Sequence, residues 1–348
     1  MSTFSRSTFN ATRYAASRPH YPRALYDHVL DYASLESTST GPRTLVDVGC
    51  GPGLSTFEFA SPPAHFDKII GVDPSSTMID AAKSIQAQKE EAGENKRGTF
   101  TFERGKVDEL RGIEDESVDL VVAGQAAHWF DPQPSYESLA RVLKPGGSFV
   151  FWGYGEIFFP QRPELSALIP PYSGQLLGTA PYFPLSIITH LLTSCWMGPY
   201  WEQPGRSIVE NLLIPFPLPV SSNFSSQIPP DRTRTQSICD AFDRDSLKRA
   251  FYLSNPSQTP ELRPAERDAG IIISTGSLLL TKQWTVKGLE GYLRTWSSLH
   301  KYREENGSQP DIVEGLIRDL KEKGWKDGED VEAAWEVGMV MGKKKRRD

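Results

Sequence analysis

Between residues 23 and 153 the apolar positions fall into short β-branched or aromatic runs, separated by longer stretches with helical spacing. The runs predict strands at Thr44 to Val48, Lys68 to Asp73, Thr99 to Glu103, Val118 to Ala123 and Ser148 to Gly153. Each is short and apolar enough to be buried on both faces of a parallel sheet. Ser75-Ser76-Thr77 predicts the cap of a helix running to about Glu91. Pro134 predicts the start of another that ends near Leu143, before a turn at Lys144-Pro145-Gly146-Gly147. Alternation of this kind belongs to an α/β domain.

After Tyr154 the alternation stops and prolines become dense as far as about residue 270. Glu164 to Ile169, Leu185 to Trp196 and Asp240 to Leu253 read as helical, and the stretch from Pro215 to Pro230 reads as an extended or mobile connection. Regular elements then resume. A strand is expected over Gly276 to Trp284, helices over about Leu289 to Glu305 and Pro310 to Lys323, and a last strand near Val331 to Met341. The chain therefore divides into an N-terminal gate with a nucleotide-binding core (1–154), a mainly helical, Pro-rich lid bearing substrate contacts (155–272), and a return to the core (273–348).

The 348 residues, 38% of them hydrophobic, can build a sizeable core. A formal net charge of −6 argues against a general nucleic-acid partner, which would need a clustered basic surface. Cys50, Cys195 and Cys239 are too few and too far apart for a disulfide framework or a metal site, so a reducing compartment and no metal are expected. Met1 to Arg23 lacks the apolar core of a secretory signal, and Leu185 to Met197 is too short to cross a bilayer. The expected setting is cytoplasmic, with no membrane partner. The basic run Lys343 to Arg347 reads as a solvated terminus, with a nuclear address as the alternative.

The chemistry concentrates at Leu45 to Gly53, an apolar run that ends in Asp47 and three alternating glycines. Ile69-Ile70-Gly71-Val72 then leads to Asp73, about 20 residues beyond the last glycine, where a nucleotide-binding α/β unit places its ribose-binding acid. A dinucleotide loop would need glycine at position 54; Leu54 stands there and Pro52 interrupts the loop, so a dehydrogenase is disfavoured. Asp47-x-Gly49-x-Gly51-x-Gly53 instead resembles motif I of the class I S-adenosyl-L-methionine-dependent methyltransferases.

The resemblance extends along most of the chain. Ser117 to Asp131, which contains Gln125-Ala-Ala-His-Trp-Phe, and Arg141 to Gly147 are similar to later motifs of the methyltransferase-11 type, in its fungal trans-aconitate methyltransferase-like subgroup. Further matching segments are Tyr14 with Arg18-Pro19-x-Tyr21-Pro22, Gly198 to Arg206, and Tyr292 to Ser297. The resemblance implies a Rossmann-like seven-stranded, mostly parallel sheet with an insertion after the fifth strand, closed by an antiparallel hairpin of the last two strands. It implies S-adenosyl-L-methionine as cofactor and a small-molecule acceptor, with O-methylation of a carboxylate, as in trans-aconitate, as the leading reaction. A hydrophobic secondary metabolite as acceptor and a catalytically silent cofactor-binding regulator are the alternatives.

On this reading Asp47, Gly49, Gly51, Gly53, Asp73, Val107, Asp108 and Gln125 bind the cofactor. Asp73 would accept from the ribose hydroxyls, Asp47 and the glycines would hold the methionine end, and Val107 and Asp108 would meet the adenine. Arg18, Arg206 and Arg294 are candidate partners for acceptor carboxylates. Tyr14, Tyr21, Trp129, Trp201 and Trp296 are candidate walls of the acceptor site. His128 is the candidate general base. Packing beside the cofactor is its competing role, because an ionised carboxylate needs no base and transfer then depends on alignment.

Overall fold

Val46, Val48, Val121, Val122 and Phe151 are entirely buried, and these residues form the central strands. The computed structural model describes residues 14, 17–34, 42–61, 66–94, 98–174, 197–220, 232–307 and 311–347. Helix α1 (Arg23–Ala33) precedes β1 (Thr44–Val48), α2 (Leu54–Glu58), β2 (Lys68–Asp73), α3 (Ser76–Glu91), β3 (Thr99–Arg104) and β4 (Val118–Gly124). A short 3-10 turn at Ala127–Trp129 leads to α4 (Pro132–Val142) and β5 (Leu143–Phe158). The Ser75 hydroxyl caps α3 by accepting from the Met78 amide, as the sequence predicts.

Beyond β5 lie short helices α5 (Pro163–Ser166), α6 (Ile169–Ser173) and α7 (Gly205–Glu210), then α8 (Arg232–Ala241), β6 (Phe242–Leu253), α9 (Pro264–Asp268), β7 (Ile272–Ser277) and β8 (Leu280–Trp284). Helices α10 (Val286–Leu293), α11 (Ser297–Glu305) and α12 (Ile312–Glu322) precede the last strand, β9 (Val331–Lys344). The strands form one nine-stranded sheet in the order β3-β2-β1-β4-β5-β9-β6-β7, with β8 also paired to β9. Strands β1 to β5 are mutually parallel, whereas β9 runs antiparallel to β5, β6 and β8. The expected Rossmann-like, mostly parallel sheet is present. Its seven-stranded core runs from β3 to β6, and β7 and β8 extend it.

The strand beside β9 in that core is not the one expected. Asp240 to Leu253 reads as a helix in sequence, but Phe242–Leu253 is strand β6, inside the segment assigned to a mainly helical insertion. Five charged residues, Asp243, Arg244, Asp245, Lys248 and Arg249, interrupt the apolar run, and the last of them lies fully buried on the strand. Its guanidinium donates to both carboxylate oxygens of Glu266, each at 2.7 Å, and to the carbonyls of Leu213 and Phe216. β8 does form the expected antiparallel pair with β9, but the run from Gly276 is divided between β7 and β8.

Three further boundaries shift. Lys144 to Gly147 lies within β5 and does not separate it from α4. The helix expected over Leu289 to Glu305 is broken into α10 and α11 at Arg294 to Trp296. Pro215 to Pro219 is packed rather than mobile: Phe216 and Leu218 are buried, the Tyr136 hydroxyl donates to the Pro217 carbonyl at 2.8 Å, and the Leu218 amide donates to Glu266 at 3.0 Å. Leu185 to Trp196 and the rest of the connection, 221–230, lie outside the described residues. The basic tail is partly anchored, since Lys343 and Lys344 belong to β9 and Lys344 pairs with Glu116 at 3.0 Å. No described helix is long and apolar enough to cross a membrane.

Candidate active site

Strand β1 ends at Val48, and the chain turns through Gly49, Gly51 and Gly53 with φ of +70°, +55° and +83°, a region that side chains rarely adopt. The amides of Gly49 and Cys50 donate to the Val72 carbonyl at 2.7 and 3.1 Å, which ties the loop to the end of β2. A Cβ on Gly49 would stand 2.4 Å from that of Ala126, whereas one on Gly51 would meet nothing within 4 Å. Gly49 therefore allows two chain segments to touch, and Gly51 presents open backbone.

Because Val48 pairs with Val72, the next residue of β2, Asp73, lies beside this loop. Its Oδ2 accepts from the Gly51 amide at 3.0 Å and its Oδ1 from the Ser75 amide at 2.8 Å. An ionised carboxylate has about four acceptor positions, so two protein bonds leave room for ligand hydroxyls. Burial raises the Asp73 carboxyl above its ordinary range, and the two backbone bonds oppose that shift.

A cavity of about 430 Å³ opens over the carboxyl ends of β1, β2, β4 and β5, where open α/β sheets bind their ligands. Gly49, Gly51, Asp73, Gln125 and His128 border it from the core side. Tyr14, Arg18 and Tyr21 from the N-terminal segment, Trp201 and Arg206 from the segment after β5, and Tyr292 and Trp296 from α10 and its C-terminal end close the remainder. Trp129 borders it while remaining 41% exposed.

The two cavity arginines are in different electrostatic states. Arg206 pairs with Glu156 at 2.5 Å and with Glu210, and lies over the Trp201 ring at 4.3 Å. Arg18 has no carboxylate partner among the described residues. Its Nη1 donates to the Tyr154 hydroxyl at 2.9 Å and its Nη2 to the Thr295 carbonyl at 3.4 Å, its guanidinium lies over the Tyr14 and Tyr292 rings, and its Nε has no partner. His128 is pushed down to about 3 by desolvation and by the charges of Arg18 and Arg206, so its imidazole is neutral near pH 7. A base so weak is poorly matched to proton removal at that pH.

Residues 46–151 match a family model described as a methyltransferase domain, a span that includes the glycine loop, Asp73, Gln125 and His128. The chain is an S-adenosylmethionine-dependent methyltransferase. It is 24% identical over 322 residues to a probable S-adenosylmethionine-dependent methyltransferase of Saccharomyces cerevisiae, CRG1, covering 92% of this chain and 90% of that protein. It is 29% identical over 165 residues to methyltransferase pgmE of Aspergillus terreus, covering 47% of each. A solved structure from Anaeromyxobacter dehalogenans, named as a type II methyltransferase, aligns with a TM-score of 0.57 and 20% identity over 95% of this chain and 99% of that one. That alignment supports the fold.

The methyltransferase does not gather every residue singled out from sequence. Arg294 does not border the cavity; it pairs with Glu290 and, at 2.7 Å, with Asp311. Tyr292 and Trp296, four apart, face inward, and Arg294 between them faces away. Val107 is buried in the core, Asp108 is exposed, and neither borders the cavity. Asp47 lies behind the glycine loop, 1% exposed, where its Oδ2 accepts from the Thr56 hydroxyl at 2.7 Å and its Oδ1 has no partner. Gly53 also faces the interior, since a Cβ there would stand 2.8 Å from the Phe57 ring.

Gln125 borders the cavity, but its side-chain amide is used by the protein. It donates to the Tyr154 carbonyl at 3.2 Å and accepts from the Tyr154 amide at 2.7 Å. Tyr154 and Glu156, absent from the sequence-derived set, border the cavity because β5 continues beyond Gly153. Their position at the carboxyl end of a parallel strand is the signal that could have found them.

Proposed function

We propose that this enzyme methylates a carboxylate of a small organic acid, as the trans-aconitate methyltransferases it resembles do. The observation that carries the reading is Arg18, a cation at the cavity with no acidic partner among the described residues. A guanidinium in this setting is best matched by a ligand carboxylate. Arg206 and Arg294 are already neutralised by protein carboxylates, so the acceptor would present one carboxylate to Arg18 rather than several to a cluster. The rings of Tyr21, Trp201 and Trp296 favour an acid with an apolar body, which also accommodates a hydrophobic metabolite bearing an acid group.

For the cofactor, Asp73 would accept from the ribose hydroxyls with its two remaining positions, and the open backbone at Gly51 would receive the methionine end. S-adenosylmethionine supplies, when bound, an electrophilic sulfonium methyl whose C–S bonding pair remains on sulfur as the acceptor oxygen forms its C–O bond. An ionised carboxylate is already the nucleophile, so the protein needs to align it and exclude water. The segment from Trp201 to Arg206, which borders the cavity from outside the core, would provide that cover.

The test is incubation of the purified protein with methyl-labelled S-adenosylmethionine and trans-aconitate, beside a cell-extract fraction of small acids and one of apolar metabolites, with labelled products identified by mass. A labelled ester of any carboxylic acid is the expected result. Label only on an oxygen, nitrogen or carbon outside a carboxylate would overturn the carboxylate reading. No label despite bound cofactor would favour the silent regulator.

A further inference from the structure

His128 borders the cavity, packed against Trp129 and Gly205. Its ring centroid lies 4.8 Å from that of Trp129, and a Cβ on Gly205 would come within 3.1 Å of its Cδ2, so helix α7 is seated directly against the imidazole edge. Nδ1 is buried without a hydrogen-bond partner, and Nε2 makes no hydrogen bond with the described residues. A neutral imidazole has one N–H and one bare nitrogen. A buried unpaired N–H is rarer than an under-used acceptor, so the proton belongs on Nε2 and the bare lone pair on Nδ1. Arg18 and Arg206 both act against a second proton.

We propose that His128 is a neutral hydrogen-bond donor to the acceptor, its Nε2–H and the guanidinium of Arg18, which has no carboxylate partner among the described residues, together holding one carboxylate. This rests on the carboxylate reading above and adds to it. Two donors on one carboxylate fix its orientation as well as its position, which a lone guanidinium among aromatic rings does less well. His128 then positions the nucleophile and removes no proton.

The experiment uses the full-length protein labelled with ¹⁵N-histidine and saturated with S-adenosylhomocysteine at pH 7. The His128 signals are identified by their loss in His128→Gln, or in His128→Asn should the first variant fail to fold. Trans-aconitate, phenylacetate and hexanoate are then titrated in separately. The expected spectrum is that of a neutral Nε2–H ring, and at least one acid moves its signals in the wild type but not in Arg18→Gln. An Nδ1–H ring, an imidazolium, or signals unmoved by all three acids would overturn the proposal. An acid that is methylated yet leaves His128 unmoved would overturn this role and leave the carboxylate reading standing; an acceptor that is not an acid would remove both. Kinetics with the methylated acid add a second readout. His128→Gln, which retains a donor and cannot act as a base, should keep KM within about threefold, and His128→Phe should raise it about tenfold or more.

Discussion

Arg18 donates from Nη1 to the hydroxyl of Tyr154 at 2.9 Å, joining two residues 136 positions apart in the chain. The bond brings the N-terminal segment onto the carboxyl end of β5 and aims a cation at the cavity. Burial pushes the Tyr154 hydroxyl up to about 12 despite the nearby Arg18, so the phenol keeps its proton at neutral pH. Arg18 is thus held by neutral groups, and its charge is left for a ligand.

Replacing Arg18 by Gln should therefore raise KM for the acid acceptor by about 10- to 100-fold, the range for a lost charge-assisted hydrogen bond. S-adenosylhomocysteine affinity, measured by calorimetry, should change by less than about twofold. Parallel weakening of both would place Arg18 on the cofactor. Tyr154→Phe, which removes only the anchor, should give a smaller rise in acceptor KM.

The glycine loop offers a contrast between two outwardly identical substitutions. Gly49→Ala forces a Cβ to within 2.4 Å of Ala126 at positive φ, so it should lower the melting temperature by several degrees. Gly51→Ala meets no protein atom and carries only the left-handed backbone cost, about 1–2 kcal/mol. Its added methyl projects from the backbone offered to the cofactor, so it should weaken S-adenosylhomocysteine binding beyond what its stability loss accounts for. Thermal melts with and without S-adenosylhomocysteine separate the two effects. Equal ligand-induced stabilisation in Gly51→Ala and wild type would remove that backbone from the site.

Asp47 makes stability depend on pH. Burial, reinforced by the Asp73 charge and opposed by the Thr56 hydrogen bond, raises its carboxyl from 3.8 to about 7. The folded state therefore holds the proton more tightly than the unfolded chain. The resulting stabilisation is fully present below pH 3.8 and is lost as pH rises through about 7, a total on the order of a few kcal/mol. Asp47→Asn, uncharged at every pH, should gain on the wild type as pH rises from 5 to 8. Melting curves at those two values measure the gain; an advantage that stays constant over the interval would show that Asp47 is already ionised in the fold at pH 5.

Strands β1 to β4 are legible in the sequence to within a residue at each end. β1, β2 and β4 are buried and mostly apolar on both faces, whereas β3, a largely exposed strand at the sheet edge, is marked by its β-branched and aromatic residues. The glycine loop and Asp73 are legible for a related reason, since backbone geometry restricts which residues can stand there. The walls of the cavity follow a different rule. Tyr292, Arg294 and Trp296 lie in one recognisable segment, yet which of them enters the cavity depends on how α10 sits on the sheet, and charge directs attention to the wrong one. Tyr154 is hidden by the length of β5, and β6 by a run of charged residues that includes one buried cation, Arg249.

That cation supplies the last prediction. Arg249 and Glu266 are 0% and 1% exposed, and removing one partner leaves the other charge uncompensated. Arg249→Met should cost about 3–5 kcal/mol in urea denaturation. In many buried pairs the double replacement by apolar residues restores the loss, but here both members also serve backbone. Arg249 satisfies the carbonyls of Leu213 and Phe216, and Glu266 accepts from the Leu218 amide. Arg249→Met with Glu266→Leu would leave those groups buried and unpaired, each at about 1–3 kcal/mol, so the double variant should remain well below wild type. Recovery to within about 1 kcal/mol would mean that the Leu213 to Leu218 segment repacks freely once the pair is gone, and that the ion pair is not what holds it against β6.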